Sequence, residues 1–570
     1  MKQFVRFTKF CLIFLLGMLI FASAGCSTST DNSEDQIQGY PISSEVLTTR
    51  ERVVVADPAP TGTPIYPYEI EKYKQYGYST WHFEAGVDAG KRLDIMPTDY
   101  NASNVTNVEK LVNFFTISDI HLSDKESPAQ CIYFGYLGGN SSAYSAIKLY
   151  TTQVLDAAIQ TVNALHKKDA FDFGLSLGDA CDNTQYNELR WFVDILDGKV
   201  INPSSGLKED PVPGPHNDYQ DEYQAAGLNS EIKWYQVLGN HDHFWMGSWP
   251  ANEYVRQTYI GAEILNLASP LTGLDGRGYY MGTMDGRTLY GTIIGVGAAS
   301  DFSEPPKALA ADPYRRSLYR KEWISEFFNT TSEPVGHGFS KTNAETGFAC
   351  YSFEPKSDVP LKVIVLDDTQ SENDVNTGEP YAFGSLDQER FDWLVSELDK
   401  GQSEGKLMII AAHIPIGVGI SPESTFSIWS SISPISLSTL VNKLQTYPNL
   451  VLWVSGHRHC NAITAFKSPD ANHPELGFWE VETSSLRDYP QQFRTIKLYR
   501  NSDGTISIIA TDVDPAVADG SFAAISRSYA VASQQLFKNP IGFLPSGVNN
   551  AELVKQLSPE MQAKLRNLKK

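Results

Sequence analysis

Five short stretches of this chain end in side chains that can bind metal ions. They carry Asp119 and His121 (D-I-H), Asp179 (G-D), Asn240, His241 and Asp242 (G-N-H-D), His413 (A-H), and His457 and His459 (G-H-R-H). The donors are carboxylate and amide oxygens and imidazole nitrogens, with no thiolate. That mixture suits Mn, Fe, Zn or Co better than Mg or Ca. A single histidine behind a strand is more often a hydrogen-bonded polar group than a ligand; here the set as a whole carries the weight.

Elements of strand length precede these residues. Apolar runs at 111–117, 171–177, 234–238, 407–412 and 450–454 each lead into one of the five stretches. In an α/β protein, side chains just past the carboxyl ends of strands converge on one rim. Between the first two runs, Leu155, Ala158, Ile159, Val162 and Leu165 mark one face of a helix over 145–166. A second helix is expected over 385–400, with a Ser385/Gln388 capping box, a stripe of Phe391, Leu394, Val395 and Leu398, and Gly401 as its stop. Runs at 493–499 and 505–511 flank a turn at 501–504 and read as a hairpin. The segment 551–570 reads as a helix whose basic end suits its C-terminal dipole.

The order and spacing of these motifs, over roughly residues 110–500, resemble the calcineurin-like metallophosphoesterase superfamily. The stretches Phe478–Leu486 and Asp488–Phe493 also resemble the segment after G-H-x-H in bacterial members. The resemblance implies an α/β four-layer sandwich, two mixed β-sheets flanked by helices, with a dinuclear metal site at the strand ends. It assigns Asp119, His121 and His459 to one ion and Asn240, His413 and His457 to the other, with Asp179 bridging both. It makes His241 a catalytic group that faces the substrate and gives a proton or hydrogen bond to the leaving oxygen. Asp242 either orients His241 or caps the turn. The implied activity is hydrolysis of a phosphoester by a hydroxide bridging two divalent or mixed-valence metal ions.

The Ser118–Leu122 opening is shared with many phosphodiesterases and tips the reading towards a diester. The alternatives are an extracytoplasmic phosphomonoesterase and a non-catalytic metal-binding surface lipoprotein. A scaffold would have no use for His241, which is not a ligand. Envelope glycan or lipid phosphates are substrates suggested by location alone. The tyrosine ligand and D-x-G segment of purple acid phosphatases are not evident. Nor is the N-H-E-F-D string of secreted 5′-nucleotidases.

The N-terminal sequence speaks of location. Lys2, Arg6 and Lys9 precede a fourteen-residue apolar run, too short for a comfortable membrane span, and Ser23–Cys26 resembles a bacterial lipobox. Cys26 would be lipidated after removal of residues 1–25, anchoring the chain to a membrane and facing it outside the cytoplasm. Ser27 after Cys26 favours the outer membrane in a Gram-negative cell. A flexible tether is expected over 26–60, an N-terminal extension over 61–110, the catalytic domain over 111–515 with a long insertion at about 243–360, and an appendage over 516–570. The formal charge of −21 repels polyanions and argues against nucleic acid as a partner. Cys181 and Cys460, each beside a motif, are either a pair or two buried free thiols. Oligomeric state has no signature in the sequence.

Overall fold

Two mixed sheets carry the motif strands, three at one side of the first sheet and two at the centre of the second. In a computed structural model, residues 37–568 are described except 63, 137–143, 208–209, 211, 268–276, 285–286, 309, 373–380, 419–426 and 538–547. Cys26 and the signal segment lie outside the described residues. From Gln38 on, the chain is a single compact unit.

The first sheet has seven strands in the order Gly90–Arg92, Ala551–Lys555, Ile506–Val513, Phe493–Asn501, Asn107–Ile117, Phe173–Ser176 and Lys233–Gln236. Its last three strands run parallel. The second sheet has six, in the order Tyr351–Phe353, Leu361–Val365, Leu407–Ala411, Leu450–Ser455, Phe478–Glu482 and Ala462–Phe466, with the middle four parallel. Parallel strands need both faces covered, and the sequence alternates accordingly. Val363, Ile409 and Val454 join the core shared with Phe114, Leu175 and Trp234 of the first sheet. Ile364, Met408, Ile410 and Trp453 instead pack under helices Gln388–Ser403 and Leu437–Leu444, against Leu394, Leu398, Leu440 and Leu444. Helices Thr151–Lys168 and Tyr186–Leu196 pack into the shared core beside the first sheet. The result is a mixed α/β fold of two large sheets flanked by helices, as expected.

Several local expectations need correction. From Gln38 the supposed tether is ordered: Val46, Val53 and Val54 are buried, and Arg52–Ala56 pairs with Trp81–Ala85. The apolar Val53–Val55 run supplies the surface that the polar stretch before it lacks. The 516–570 segment is no appendage, because Ala551–Lys555 pairs with Ile506–Ala510 inside the first sheet. Residues 551–568 are therefore a strand, then a short helix, Pro559–Arg566, started by a Ser558 cap and a proline in its first turn. The second predicted helix begins one turn later than expected, capped by Asp387, whose carboxylate accepts the Arg390 N–H at 2.8 Å. It runs through Gly401, where a Cβ would collide with Met408, so this glycine serves packing and does not end the helix. The insertion adds a small antiparallel sheet (Asn266–Leu267, Tyr279–Met284, Ile293–Ala298) and short helices Glu253–Ile260, Arg320–Glu326 and Lys341–Thr346. Among the described residues, no helix is long and apolar enough to cross a membrane.

Candidate metal centre

All seven expected ligands stand just beyond the carboxyl ends of parallel strands, at one rim shared by the two sheets. The first sheet delivers Asp119, His121, Asp179 and Asn240; the second delivers His413, His457 and His459. The turns that bring them there are tight. Asp119, His121, Asp179, His457 and His459 all have left-handed backbone, with φ between 48° and 75°. Such conformations cost about 1 kcal/mol or more each and persist only where the surroundings over-determine them. Neighbouring glycines make room: a Cβ on Gly456 would collide with Ser118 Oγ and Asp119 Oδ2, and one on Gly239 with Asp179.

The donors gather in two groups, Asp119–His121–His459 and Asp179–His413–His457. In the first, Asp119 Oδ1 lies 3.4 Å from His459 Nε2 and 3.9 Å from His121 Nε2, and the two histidine nitrogens are 3.1 Å apart. Asp119 Oδ2 already accepts from Ser118 Oγ at 2.6 Å and the His457 N–H at 2.8 Å. Oδ1 is buried and has no hydrogen-bond donor. A bare carboxylate oxygen facing two imidazole nitrogens fits a cation. In the second group, His413 Nε2 lies 3.3 Å from Asp179 Oδ2 and 2.9 Å from Asn240 Oδ1, and His457 Nδ1 lies 3.2 Å from the same amide oxygen. Asp179 Oδ2 also lies 3.6 Å from His121 Nε2, so one carboxylate oxygen reaches both groups.

Outer hydrogen bonds fix which atom faces inward. His413 Nδ1 donates to the Leu177 carbonyl at 2.8 Å, leaving Nε2 as its inner atom. Asn240 Nδ2 donates to the Gly247 carbonyl at 2.9 Å, which turns its oxygen inward. His459 Nδ1 meets Asp488 Oδ2 at 2.6 Å.

Protons show where positive charge is wanted. Burial alone would lower His413, but Asp179 and Asp119 push its pKa up to about 10. Burial is likewise outweighed at His459, raised to about 9 by Asp119 and Asp488. His121 and His457 are lowered to about 3, by burial first and then by the cations beside them, Arg487 and His413 respectively. Without metal, each group thus favours one imidazolium, His459 or His413, beside one neutral imidazole, His121 or His457. Asp119 and Asp179 sit below the usual carboxylate range despite burial, held there chiefly by His459 and His413 respectively.

His241 stands beside the ligands and belongs to neither group. Its Nδ1 lies 2.6 Å from the Asp182 carbonyl, its N–H donates to Asp179 Oδ1 at 2.8 Å, and its ring meets that of His121 edge-on. Gly247 leaves the space over Nε2 open; a Cβ there would collide with the ring. Burial lowers its pKa. Asp242 does not orient His241. Its carboxylate accepts four backbone N–H groups, from Gly239, Asp179, Ala180 and Cys181, so it caps and ties together the two ligand turns.

Other residues were not legible as parts of the site. Asp182 is buried, accepts from Lys148 Nζ at 2.8 Å and Arg487 Nη1 at 2.7 Å, and lies 3.6 Å from His121 Nδ1. It groups with His121 and His241 as a third possible ion site, but Lys148 and Arg487 already neutralise its oxygens. Asp368, beyond the end of the Leu361–Val365 strand, accepts the N–H groups of His413 and Ile414. Its signal was a sixth, short apolar run, 363–366, followed by two aspartates. Cys181 and Cys460 are both buried free thiols, and no disulfide joins them.

No family model matches the chain, and no curated protein does either. Among solved structures, a dimetal phosphatase from Danio rerio matches at 11% identity, covering 72% of this chain and 100% of that one, with a TM-score of 0.36. A likeness of that degree carries no argument about function, and the chemistry must be read from the site itself.

Proposed function

We propose that this protein is a metal-dependent phosphoesterase of the calcineurin-like metallophosphoesterase superfamily, acting on phosphodiesters outside the cytoplasm. The observation that carries the reading is Asp179, whose Oδ2 lies 3.6 Å from His121 Nε2 of one histidine-rich group and 3.3 Å from His413 Nε2 of the other. Asp119, His121 and His459 would hold one ion, and Asn240, His413 and His457 the other, with Asp179 shared. Two such ions, when bound, supply a hydroxide nucleophile at neutral pH and neutralise phosphoryl oxygens.

The remaining roles fall to the chain. His241 is held by the Asp182 carbonyl on one nitrogen, so the other is free to serve the leaving oxygen. Among the described residues, three cations in and beside the site are committed to carboxylates: Lys148 to Asp182, Arg487 to Asp182 and Asp488, and Arg458 to Glu482. The two ions alone would then neutralise the phosphate, and a diester, with a single negative charge, asks less of them than a monoester dianion. This supports the diester reading. Lipidation at Cys26 would place the active site at a membrane surface facing outwards.

The test is hydrolysis of an aryl phosphodiester against the matching monoester by the full chain in detergent, loaded with Mn or Zn, with metal content measured in parallel. A diester preference with about two ions per chain supports the proposal. A monoester preference makes the protein a phosphatase. Two ions with no turnover of either would sink the enzymatic reading.

A further inference from the structure

The two halves of the centre differ in what stands behind their histidines. In the half built on Asn240, His413 and His457, the outer partners are neutral: the Leu177 carbonyl behind His413 and the Gly247 carbonyl behind the Asn240 amide. In the half built on Asp119, His121 and His459, the outer partners are carboxylates. Asp488 Oδ2 lies 2.6 Å from His459 Nδ1, and Asp182 Oδ1 lies 3.6 Å from His121 Nδ1. Only the first of these is a hydrogen bond, since His121 Nδ1 has no partner within bonding distance.

The two carboxylates are braced by two cations. Arg487 is fully buried and spans them, with Nη1 2.7 Å from Asp182 Oδ1 and Nη2 3.2 Å from Asp488 Oδ2. Lys148, also buried, sits 2.8 Å from the other oxygen of Asp182. The cluster is neutral overall, but its parts are not equivalent. The carboxylates face the imidazoles, while the cations hold the carboxylates in place. A carboxylate behind an imidazole fixes the ring and makes its inner nitrogen a stronger donor to a cation. A peptide carbonyl fixes the ring but carries no net charge.

We propose that Asp488 is a positioning residue that makes the centre unequal. Acting through His459, it strengthens the position formed by Asp119, His121 and His459 over the one formed by Asn240, His413 and His457, with Asp179 shared by both. The inference rests on the two-ion reading and adds an order to it: one ion held tightly, the other exchangeable. It also gives a purpose to Arg487, a fully buried charge that touches none of the ligands.

The test is competition for zinc between a chromogenic chelator and the chelator-stripped full chain, at fixed pH, for wild type, Asp488→Asn and Asp488→Glu. Wild type is expected to bind two ions with distinct affinities. Asp488→Asn should weaken the tighter one by about 10- to 100-fold and leave the weaker one unchanged, because second-layer partners of metal-bound histidine act on that scale. Asp488→Glu, which keeps the charge, should recover most of the loss. A role confined to folding would instead lower the melting temperature of the stripped protein and weaken both ions together, and that result overturns the inference. So does an Asp488→Asn variant that binds both ions like wild type. If the substitution prevents folding, wild type alone still decides: two ions released as a single class count against an unequal centre. Fewer than two ions in wild type would refute the dinuclear reading itself, which is a separate failure.

Discussion

At the strand-end rim, Asp119, His121, Asp179, His457 and His459 hold left-handed backbone and turn nitrogen and oxygen atoms towards one another. In the insertion, Trp245, Tyr259, Arg315 and Arg320 look just as chemical in the sequence, yet they are spent on packing. The Trp245 indole donates to the Ala129 carbonyl, the Tyr259 hydroxyl to the Asn183 carbonyl, and Arg315 to Ser205 and the Ala310 carbonyl. Arg320 is paired with Asp367 and Glu372. Residue type was a poor guide to which region gathers metal-binding groups at one point. Position past the end of a parallel strand was a good one, because only there do segments distant in sequence meet without blocking one another.

That contrast can be broken in four places. The largest effect is expected at Asp179: Asp179→Asn should deplete both ions together and abolish hydrolysis, and a variant that keeps two ions would show the carboxylate is not shared. Next comes His241. His241→Ala should slow turnover by about 10²- to 10⁴-fold with metal content intact; metal loss would make it a ligand.

The third effect is on stability. The histidines of the stripped protein split in direction. His413 and His459, raised to about 10 and 9 from 6.5, stabilise the fold fully below pH 6.5, and that contribution is lost as pH rises through 9 and 10. His121 and His457, lowered to about 3, make the fold less stable as pH falls below 6.5, where the unfolded chain takes up protons that the folded one refuses. Stripped protein should therefore melt highest near pH 6.5 and lose stability steadily as pH rises towards 9 and 10, whereas the alkaline fall should be absent once metal replaces the two protons. Parallel melting curves with and without chelator would test this, and identical curves would argue against a cation at either group. The smallest effect belongs to the insertion. Tyr259→Phe should cost about 0.5–1.5 kcal/mol in denaturant unfolding, with kcat and ion content unchanged. A large loss of turnover would bring the insertion into the chemistry after all.

The strands and the seven converging donors were legible because apolar runs and short polar motifs are local signals. What was missed depends on tertiary meetings. Asp182 and Asp488 are far apart in sequence and become one unit only through Arg487. Ala551–Lys555 reads as part of a helix until Ile506–Val513 offers it an edge. Gly401 looked like a stop because nothing local reveals Met408 pressing against it. For Asp242, the choice between two roles rested on which backbone N–H groups the turns would bring to it.

The division of ligands between the sheets has a consequence for the life of the chain. Each donor group draws on both sheets, Asp119 and His121 with His459 in one, Asp179 with His413 and His457 in the other. No partly synthesised or partly threaded chain that stops short of His457 contains either group whole. An export route that passes the chain unfolded would deliver it empty, and the ions available where it folds, not where it is made, would decide what it carries.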